Sequence, residues 1–401
     1  MNKRNFVINP KTGFWGLAQE GYEKELLAVL NDKILPEKNY RGTHSIILNT
    51  TKQCNMGCVY CSASGGRSGE RMSEEVARKA VDEATTLELT PRIVFHGSEP
   101  LLNMPLIRST VEYGESLPIK VLFYIQSNLT YLTDGILDFV RAHKIGVSTS
   151  VDGFREEHNL NRPFRNGSPS YDFVLRNMEK IMEEQVGMST VTVVTKHNVH
   201  RLSEIALDLE SRGVTHIQFL PAVKCPQHKE DFQPTNKELI DSYTHLFEQT
   251  FERMERGEQK AVVRNIPQLL ASLFLRTAVD RCRVCSSADY HPILSIDTNG
   301  DVYPCDFFFG RKEYVVGNIM HNSLVSLLNS KKNPRSASIN DSSCGSCDIR
   351  RICGGGCLAD KLFSGDRPYY CETYFAMYDY MVKKMPELKE KGLLPLAVRN
   401  L

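Results

Sequence analysis

The chain has 401 residues, which as a prior corresponds to two or three domains. Its 41% hydrophobic and 24% charged residues are typical of a globular protein that buries a sizeable core. The formal net charge of +1 excludes the strong basic excess of a general nucleic-acid binder. The sequence contains neither a run of about eighteen apolar residues nor the apolar core of a signal peptide, so we expect a cytoplasmic protein without membrane contact.

Residues 1–43 are predicted to form an N-terminal extension. A hairpin pairs Phe6–Asn9 with Phe14–Leu17 around a turn that contains Pro10 and Gly13, and a helix covers Glu20–Leu30. The aromatic segment at Phe14 and Trp15 is expected to pack in the core, with binding of a peptide segment as the alternative.

Strand-like runs then alternate with amphipathic helices. The predicted strands are Ser45–Thr50, Arg92–His96, Val121–Gln126, Gly146–Val151, Thr190–Val194 and His216–Leu220. The predicted helices are Ser73–Leu87, Pro105–Leu117, Thr133–His143, Tyr171–Glu184 and His200–Arg212. This alternation predicts an α/β fold with a parallel sheet and helices outside it. Six units fall short of the eight of a TIM barrel, so we predict a partial (β/α)6 TIM-like barrel over residues 44–234, with a doubly wound sheet as the alternative.

The rest of the chain divides by composition. A helical linker is predicted over residues 235–280, and its helix opens with a capping box of Thr235 and Glu238. A cysteine-rich domain follows over 281–385, and a charged tail over 386–401.

In either a barrel or a doubly wound sheet, functional residues gather at the carboxyl ends of the strands.

Twelve cysteines are unusual for a chain expected in a reducing compartment, where clustered cysteines more often bind metal or perform chemistry than form disulfides. Cys54, Cys58 and Cys61 directly follow the first predicted barrel strand with C-x3-C-x2-C spacing, and the aromatic Tyr60 precedes the last of them. Three thiolates on one loop can hold three corners of a cubane iron–sulfur cluster and leave one iron open. Buried or zinc-binding cysteines are the alternative.

This loop resembles the signature of the radical S-adenosylmethionine (SAM) superfamily, and residues at later strand ends are similar to other positions of that family. Gly97, Ser98, Glu99 and Pro100 resemble the GGEP motif that holds the methionyl amino group of SAM, with Ser98 in place of the second glycine. Positions similar to those that bind the ribose or shape the substrate side are Gln126, Ser127, Asn128, Ser150 and Asp152. By the same resemblance, Tyr60 of the cysteine loop is expected to be a SAM-binding residue. Arg162 resembles the arginine that pairs with the SAM carboxylate, a role that suits its planar, bidentate guanidinium.

The resemblance implies a 4Fe–4S cluster that binds SAM. One electron from this cluster, delivered by a donor such as flavodoxin or ferredoxin, cleaves SAM to a 5′-deoxyadenosyl radical that takes a hydrogen atom from the substrate. The protein orients and shields this step.

The C-terminal cysteines resemble the SPASM pattern, which implies two auxiliary 4Fe–4S clusters and three clusters in total. By this resemblance one cluster is held by Cys344, Cys347, Cys353 and Cys371. The other is held by Cys285, Cys305 and Cys357, with Cys282 as its fourth ligand or with an open iron. A zinc ribbon over 344–357 is the alternative. Cys225 remains outside this inventory, as a spare thiol or a substrate-facing one.

Asp306 directly follows Cys305 in a YPCDF sequence that resembles anaerobic sulfatase maturases, where this aspartate is the general base. The alternative is a structural acid beside a ligand.

SPASM enzymes act mainly on peptides and proteins. The first hypothesis is a ribosomal peptide maturase that forms a thioether or another side-chain crosslink. The second is a sulfatase maturase that makes formylglycine from Cys or Ser, and the third is a non-enzymatic iron–sulfur or zinc protein.

Overall fold

A computed structural model describes much of the chain in two compact units. It covers residues 4–8, 15–19, 45–62, 69–87, 90–228, 230–275, 294–328, 330, 332, 344, 346–365 and 367–394. The barrel unit comprises Gly42–Pro234 and His291–Pro334. The helical unit comprises Met1–Arg41, Thr235–Tyr290 and Arg335–Leu401. The segment 281–385, predicted as one domain, is therefore divided between the two units.

The barrel unit is built on a largely parallel sheet. Its strands are β3 (Ser45–Asn49), β4 (Arg92–His96), β5 (Leu122–Ser127), β6 (Gly146–Ser150), β7 (Met188–Val194), β8 (His216–Pro221), β10 (Leu294–Ile296), β11 (Asp301–Tyr303) and β12 (Gly317–Asn318). Their order is β12-β11-β10-β3-β4-β5-β6-β7-β8. The run from β10 through β8 is parallel, whereas β10, β11 and β12 pair antiparallel.

Helices connect the consecutive parallel strands. They are α1 (Glu74–Leu87), α2 (Met104–Ser116), α3 (Asp134–Ala142), α4 (Arg155–Asn161), α5 (Tyr171–Glu183) and α6 (Leu202–Ser211), and α9 (Leu324–Leu328) lies near the end of the unit. Hydroxyl caps set several of their starts, since Ser73 accepts a hydrogen bond from the Val76 amide and Thr133 from the Ile136 amide. The predicted α/β fold with consecutive β/α units is confirmed.

The core lies between the sheet and its helices. Alternate residues of β4, β6 and β7 are buried, as expected for strands with one face covered by helices and the other lining a more open interior. Phe95 and Phe123 stack on the covered face with ring centroids 6.0 Å apart. Every residue of β3 is buried.

The hairpin of β10 and β11 joins the sheet beside β3, which makes β3 an interior strand. Asn49 at the end of β3 donates to a carboxylate oxygen of the buried Asp297, 2.8 Å away. Lys52 reaches the other oxygen of Asp297 at 3.6 Å and Glu70 at 2.9 Å. A polar network therefore ties the end of the first barrel strand to a segment nearly 250 residues later in the chain.

The helical unit contains the remaining elements. They are the antiparallel hairpin β1 (Arg4–Ile8) and β2 (Trp15–Gln19), α7 (Asn236–Glu255), β9 (Val262–Val263), α8 (Asn265–Leu275), α10 (Arg350–Cys353), α11 (Leu358–Ser364) and α12 (Cys371–Glu390). The predicted capping box of Thr235 and Glu238 is present at the start of α7. Helices α7 and α12 pack together, and Lys384 bonds Glu248 across them at 2.6 Å.

Most predicted boundaries agree with the structure to within two residues. The hairpin at the N-terminus is present, whereas the helix predicted over Glu20–Leu30 lies outside the described residues. Helix α4, which carries the sequence from His158 to Asn161, was not predicted. Among the described residues, no helix is long and apolar enough to span a membrane.

Candidate active site

The loop that carries Cys54, Cys58 and Cys61 leaves the carboxyl end of β3. Its backbone pairs with the segment after α4: the Gly57 amide donates to Pro163 at 2.8 Å and the Val59 amide to Asn161 at 3.0 Å. In the opposite direction the Arg165 amide donates to the Asn55 carbonyl at 2.9 Å. These bonds satisfy the backbone of an otherwise irregular loop and fix its course.

The three thiols lie within electrostatic range of one another. Burial raises the pKa of Cys54 to about 11 and that of Cys58 to about 12, while Cys61 is exposed. Such thiols stay neutral at pH 7 unless a metal displaces their protons. In the described part of the chain no three His, Cys, Asp or Glu side chains are arranged around one ion. Three thiols on one loop suit an iron–sulfur cluster, in which each cysteine binds a different iron.

An amide cluster fixes the start of this loop against the end of β5. Asn128 donates to the Asn55 side chain at 2.8 Å, and Asn55 donates to the Thr130 hydroxyl at 2.7 Å. Asn128 also lies 3.9 Å from the sulfur of Cys54, which accepts from the Met56 amide at 3.4 Å. The predicted site residue Asn128 thus acts on the cysteine loop directly.

The predicted motif from Gly97 to Pro100 follows β4. Gly97 has a φ of +112°, and a Cβ there would lie 2.4 Å from the side-chain oxygen of Asn49. The position therefore requires glycine. Ser98 is not among the described residues with positive φ, and its amide donates to that same Asn49 oxygen at 3.3 Å. A side chain at position 98 therefore adds no backbone strain, although the family motif has glycine there.

Glu99 is completely buried and joins the ends of β4 and β5. Its carboxylate accepts from the Ser127 hydroxyl at 2.7 Å, the Asn128 amide at 2.8 Å and the Leu101 amide at 3.1 Å. The last bond caps the short 3-10 turn Pro100–Asn103, in which Pro100 takes the first position. Burial raises the pKa of Glu99 despite these donors. The hydrogen bond from Ser127 to Glu99 places Ser127 next to the motif from Gly97 to Pro100.

Tyr60, Asp152 and Arg162 come together from three different elements. The Tyr60 hydroxyl donates to Asp152 at 2.5 Å and accepts from Nη1 of Arg162 at 2.5 Å. The other carboxylate oxygen of Asp152 accepts from the Val193 amide at 2.9 Å. Burial raises the pKa of Tyr60 well above its ordinary value, so its hydroxyl remains a donor.

His158 links the backbone of Asp152 to the backbone of Arg162 through Ser170. Its Nδ1 accepts from the Asp152 amide at 3.3 Å, and its Nε2 lies 3.2 Å from the Ser170 hydroxyl, which donates to the Arg162 carbonyl at 2.5 Å. Burial, with a smaller contribution from the charge of Arg162, lowers the pKa of His158 to about 3. The imidazole is therefore neutral at physiological pH.

Other residues at the strand ends also contact one another. The Gln126 amide is 3.5 Å from the Ser150 hydroxyl. His96, the last residue of β4, places Nε2 3.1 Å from a carboxylate oxygen of Asp306. Sequence reasoning named Asp306 but missed His96, whose only signal was its place at a strand end.

A short loop after β8, which we call the clasp loop and define as residues 225–228, contacts the far side of the cysteine loop. Nε2 of His228 lies 2.9 Å from the Cys61 carbonyl, and Nδ1 of His228 accepts from the Cys225 amide at 3.0 Å. Gln227 donates to the Ser62 carbonyl at 3.1 Å and accepts a hydrogen bond from Arg311. Cys225 is buried at the base of this loop, and burial raises the pKa of its thiol to about 11.

The C-terminal cysteines are distributed over both units. Cys344, Cys347, Cys353, Cys357 and Cys371 lie in the helical unit, whereas Cys305 lies in the barrel unit. Burial raises the pKa of Cys371, and the nearby thiols of Cys347 and Cys344 add to the effect. Cys353 and Cys357 are joined by three glycines that all have positive φ, a turn that other residues rarely adopt. Cys282 and Cys285 lie outside the described residues.

Two family models match the chain. Residues 48–209 match the Radical SAM superfamily, and residues 289–348 match SPASM, an iron-sulfur cluster-binding domain. The chain therefore carries a radical SAM domain and a SPASM domain. Radical SAM enzymes contain a 4Fe–4S cluster and bind AdoMet, and the SPASM domain indicates further iron–sulfur clusters.

Named relatives of this radical SAM enzyme are maturases. A cysteine-type anaerobic sulfatase-maturating enzyme of Clostridium novyi is 24% identical over 364 residues, which cover 85% of this chain and 95% of that enzyme. The mycofactocin maturase MftC of Mycobacterium tuberculosis is 26% identical over 346 residues, which cover 82% of this chain and 83% of that protein. The expectation of an enzyme is confirmed, and the hypothesis of a non-enzymatic cluster protein is set aside.

The solved structure of native anSMEcpe with bound AdoMet and Cp18Cys peptide shares the fold. The two structures align with a TM-score of 0.74 at 22% identity, over 87% of this chain and 99% of that one. This likeness agrees with the β/α architecture described above.

Proposed function

We propose that this radical SAM enzyme is a maturase that removes a hydrogen atom from a peptide substrate and oxidatively modifies one of its side chains. The observation that carries the proposal is the collection of polar side chains at the carboxyl ends of neighbouring strands, where the cysteine loop, the Gly97 motif, Arg162 and Asp306 all belong to the barrel unit. The maturase relatives support a peptide or protein substrate.

Cys54, Cys58 and Cys61 are proposed to hold the cluster that binds SAM, and Arg162 to bind the SAM carboxylate. When bound, the reduced cluster and SAM supply one-electron chemistry that abstracts a hydrogen atom from the substrate. Two observations support this assignment: the loop brings the three thiols within electrostatic range of one another, and the Nε of the buried Arg162 guanidinium has no hydrogen-bond partner. Glu99 holds the ends of β4 and β5 together, and Asn128 holds the cysteine loop against the end of β5.

The SPASM cysteines are proposed to hold two auxiliary 4Fe–4S clusters, with the ligand sets given by the family pattern. A ferredoxin or flavodoxin is proposed as the electron donor. Asp306 is proposed to accept the proton that the substrate side chain loses during oxidation. His96 supports this role, because its Nε2 lies 3.1 Å from one carboxylate oxygen of Asp306 and can hold that carboxylate in place.

Crosslink formation is the first candidate outcome, and formylglycine formation is the second. The second is favoured by the pairing of Asp306 with His96 at a strand end and by the sulfatase-maturating relative. Both outcomes begin with the same hydrogen abstraction and differ in what the oxidised side chain does next.

Anaerobic turnover with SAM, a reductant and deuterated candidate peptides tests the proposal. Transfer of deuterium into 5′-deoxyadenosine, together with a changed peptide mass, is the expected result. A loss of two hydrogens with a new intramolecular link identifies a crosslinking maturase, whereas a product that reacts with a hydrazide probe identifies an aldehyde at Cys or Ser. SAM cleavage without deuterium transfer from any peptide, with unlabelled peptide as the control, would contradict the proposal.

A further inference from the structure

We propose that Asp152 and Tyr60 are positioning residues that act through Arg162, and that together they hold its guanidinium ready for the carboxylate of SAM. The three residues are here called the arginine relay. This inference rests on the SAM-binding role that the proposed function gives to Arg162. It changes the expected roles of Tyr60 and Asp152, which the sequence places among residues that contact SAM themselves.

The first argument is accessibility. Asp152 has no exposed surface, and both of its carboxylate oxygens are engaged, one by the Tyr60 hydroxyl and the other by the Val193 amide. Both oxygens are thus already hydrogen-bonded to the protein, so this carboxylate offers an incoming ligand no unbonded oxygen. Asp152 therefore acts on that ligand through Arg162, to which it is linked by the Tyr60 hydroxyl and by the attraction between the two charges.

The second argument is charge. Arg162 is 7% exposed, and a buried guanidinium is costly unless an acidic partner and hydrogen bonds compensate it. Asp152 supplies the negative charge, and the Tyr60 hydroxyl transmits it by donating to Asp152 while accepting from Arg162. Hydrogen bonds in such a chain polarise one another, so the two bonds are expected to strengthen each other.

The third argument is the donor that remains. The Nε of Arg162 is buried and has no hydrogen-bond partner. A buried donor left unpaired costs free energy, which an incoming acceptor would recover. Arg162 also lies in electrostatic range of Cys58 on the cysteine loop. An anionic oxygen of a ligand beside that loop would therefore accept the hydrogen bond that the Nε does not yet make. A carboxylate suits this role, because its two oxygens match the planar donors of the guanidinium.

The test compares Tyr60→Phe and Asp152→Asn with Tyr113→Phe. Tyr113 makes the same kind of bond, to Asp82 at 2.6 Å, between α1 and α2 of the barrel unit, so it is a matched control for the loss of a tyrosine–aspartate hydrogen bond. The ring of Tyr60 packs edge-on against Phe232, a contact that phenylalanine retains. The readouts are the SAM dissociation constant of reconstituted protein, its iron content, and SAM cleavage at saturating SAM.

We expect Tyr60→Phe to weaken SAM binding about tenfold, with iron content and saturated cleavage within about twofold of wild type. Tyr113→Phe should leave SAM affinity unchanged. The double variant of Tyr60 and Asp152 should be no weaker than the worse single variant, because both changes interrupt one relay. In an Arg162→Leu background, Tyr60→Phe should have no further effect.

Several outcomes would overturn the relay. They are an unchanged SAM affinity in Tyr60→Phe, additive losses in the double variant, a further loss in the Arg162→Leu background, and a loss of iron that accounts for the weaker binding. If Asp152→Asn does not fold, Tyr60→Phe with and without Arg162 still decides the question. None of these readouts uses a peptide, so failure of the maturase proposal would leave the result on the relay intact.

Discussion

His96 and Asp306 form an ion pair between the end of β4 and the segment directly after Cys305, with 3.1 Å between Nε2 and the carboxylate oxygen. Burial lowers the pKa of His96, but the hydrogen bond and charge of Asp306 more than reverse this and leave it raised. For Asp306, burial raises the pKa, and the contact with His96 outweighs that effect and leaves it lowered. Both shifts favour an imidazolium paired with a carboxylate.

This pairing predicts that His96 aims Asp306 at the substrate. His96→Ala should lower the yield of modified peptide per 5′-deoxyadenosine by at least about tenfold, because a general base works only when it is positioned. His96→Gln, which can donate from its amide nitrogen, should retain most of that yield. Mass spectrometry of peptide and nucleoside from the same reaction gives the ratio. Equal ratios for His96→Ala and wild type would exclude the role.

Asp306→Asn should leave SAM cleavage intact and block the modified product. The amide keeps the shape of the side chain but cannot accept the proton that the carboxylate takes. The measurement is the product of the anaerobic reaction after several turnovers of SAM. Undiminished product formation by this variant would remove Asp306 from the chemistry.

Gly97→Ala should destabilise the protein by about 1–3 kcal/mol and weaken SAM binding, because alanine is strained at a φ of +112° and its Cβ would clash with Asn49. Gly167→Ala is the matched control: it has a φ of +83° with open space around the added Cβ. Thermal unfolding of both variants separates backbone strain from the clash. If Gly97→Ala bound SAM as tightly as Gly167→Ala does, SAM would not lie close to the backbone of this motif.

Acidification should weaken the fold through His158. Its pKa is about 3 in the folded chain and near 6.5 when unfolded, so the unfolded state gains a proton first as pH falls through 6.5. The stabilisation is fully present above that pH and decreases by about 1.4 kcal/mol between pH 7.5 and 5.5. His158→Gln should lose this component of the pH dependence, measured as the shift in unfolding midpoint between the two pH values. An identical shift in both proteins would contradict the prediction.

Reconstituted protein should contain about twelve irons per chain if three 4Fe–4S clusters are present. Replacing Cys54, Cys58 and Cys61 with alanine should remove about four of them and abolish SAM cleavage. Cys225→Ser is the control, because its buried thiol lies at the base of the clasp loop, outside the expected ligand sets. Iron equivalent to a single cluster in wild type would refute the auxiliary clusters.

Much of the fold could be predicted because β/α repetition is a local pattern. Strand β4 spans the predicted residues, and the Thr235 capping box is present. Helix α4 was missed because its seven residues, rich in charged and amide side chains, show no amphipathic repeat. The placement of β10 beside β3 could not be predicted either, since no local signal specifies pairing between segments so far apart.

The candidate site was predictable as a set of positions and not as a set of contacts. Motif spacing and strand ends identified Tyr60, Asp152 and Arg162, but their mutual hydrogen bonds depend on how the segment after α4 pairs with the cysteine loop. The clasp loop was missed for a similar reason: His228 contacts a backbone carbonyl, a type of interaction that leaves no mark on the sequence pattern.

The pairing of β10 with β3 has a consequence for any shortened form of this protein. A chain that ended near residue 234 would expose β3 as an edge strand, whose five residues, including the aliphatic Ile46, Ile47 and Leu48, are all buried in the complete chain. Such an edge is a template for intermolecular strand addition and hence for aggregation. It would also leave Asn49 without Asp297. The barrel sheet therefore depends on β10 to cover its first strand, and synthesis of the chain must pass the hairpin of β10 and β11 before that strand is protected.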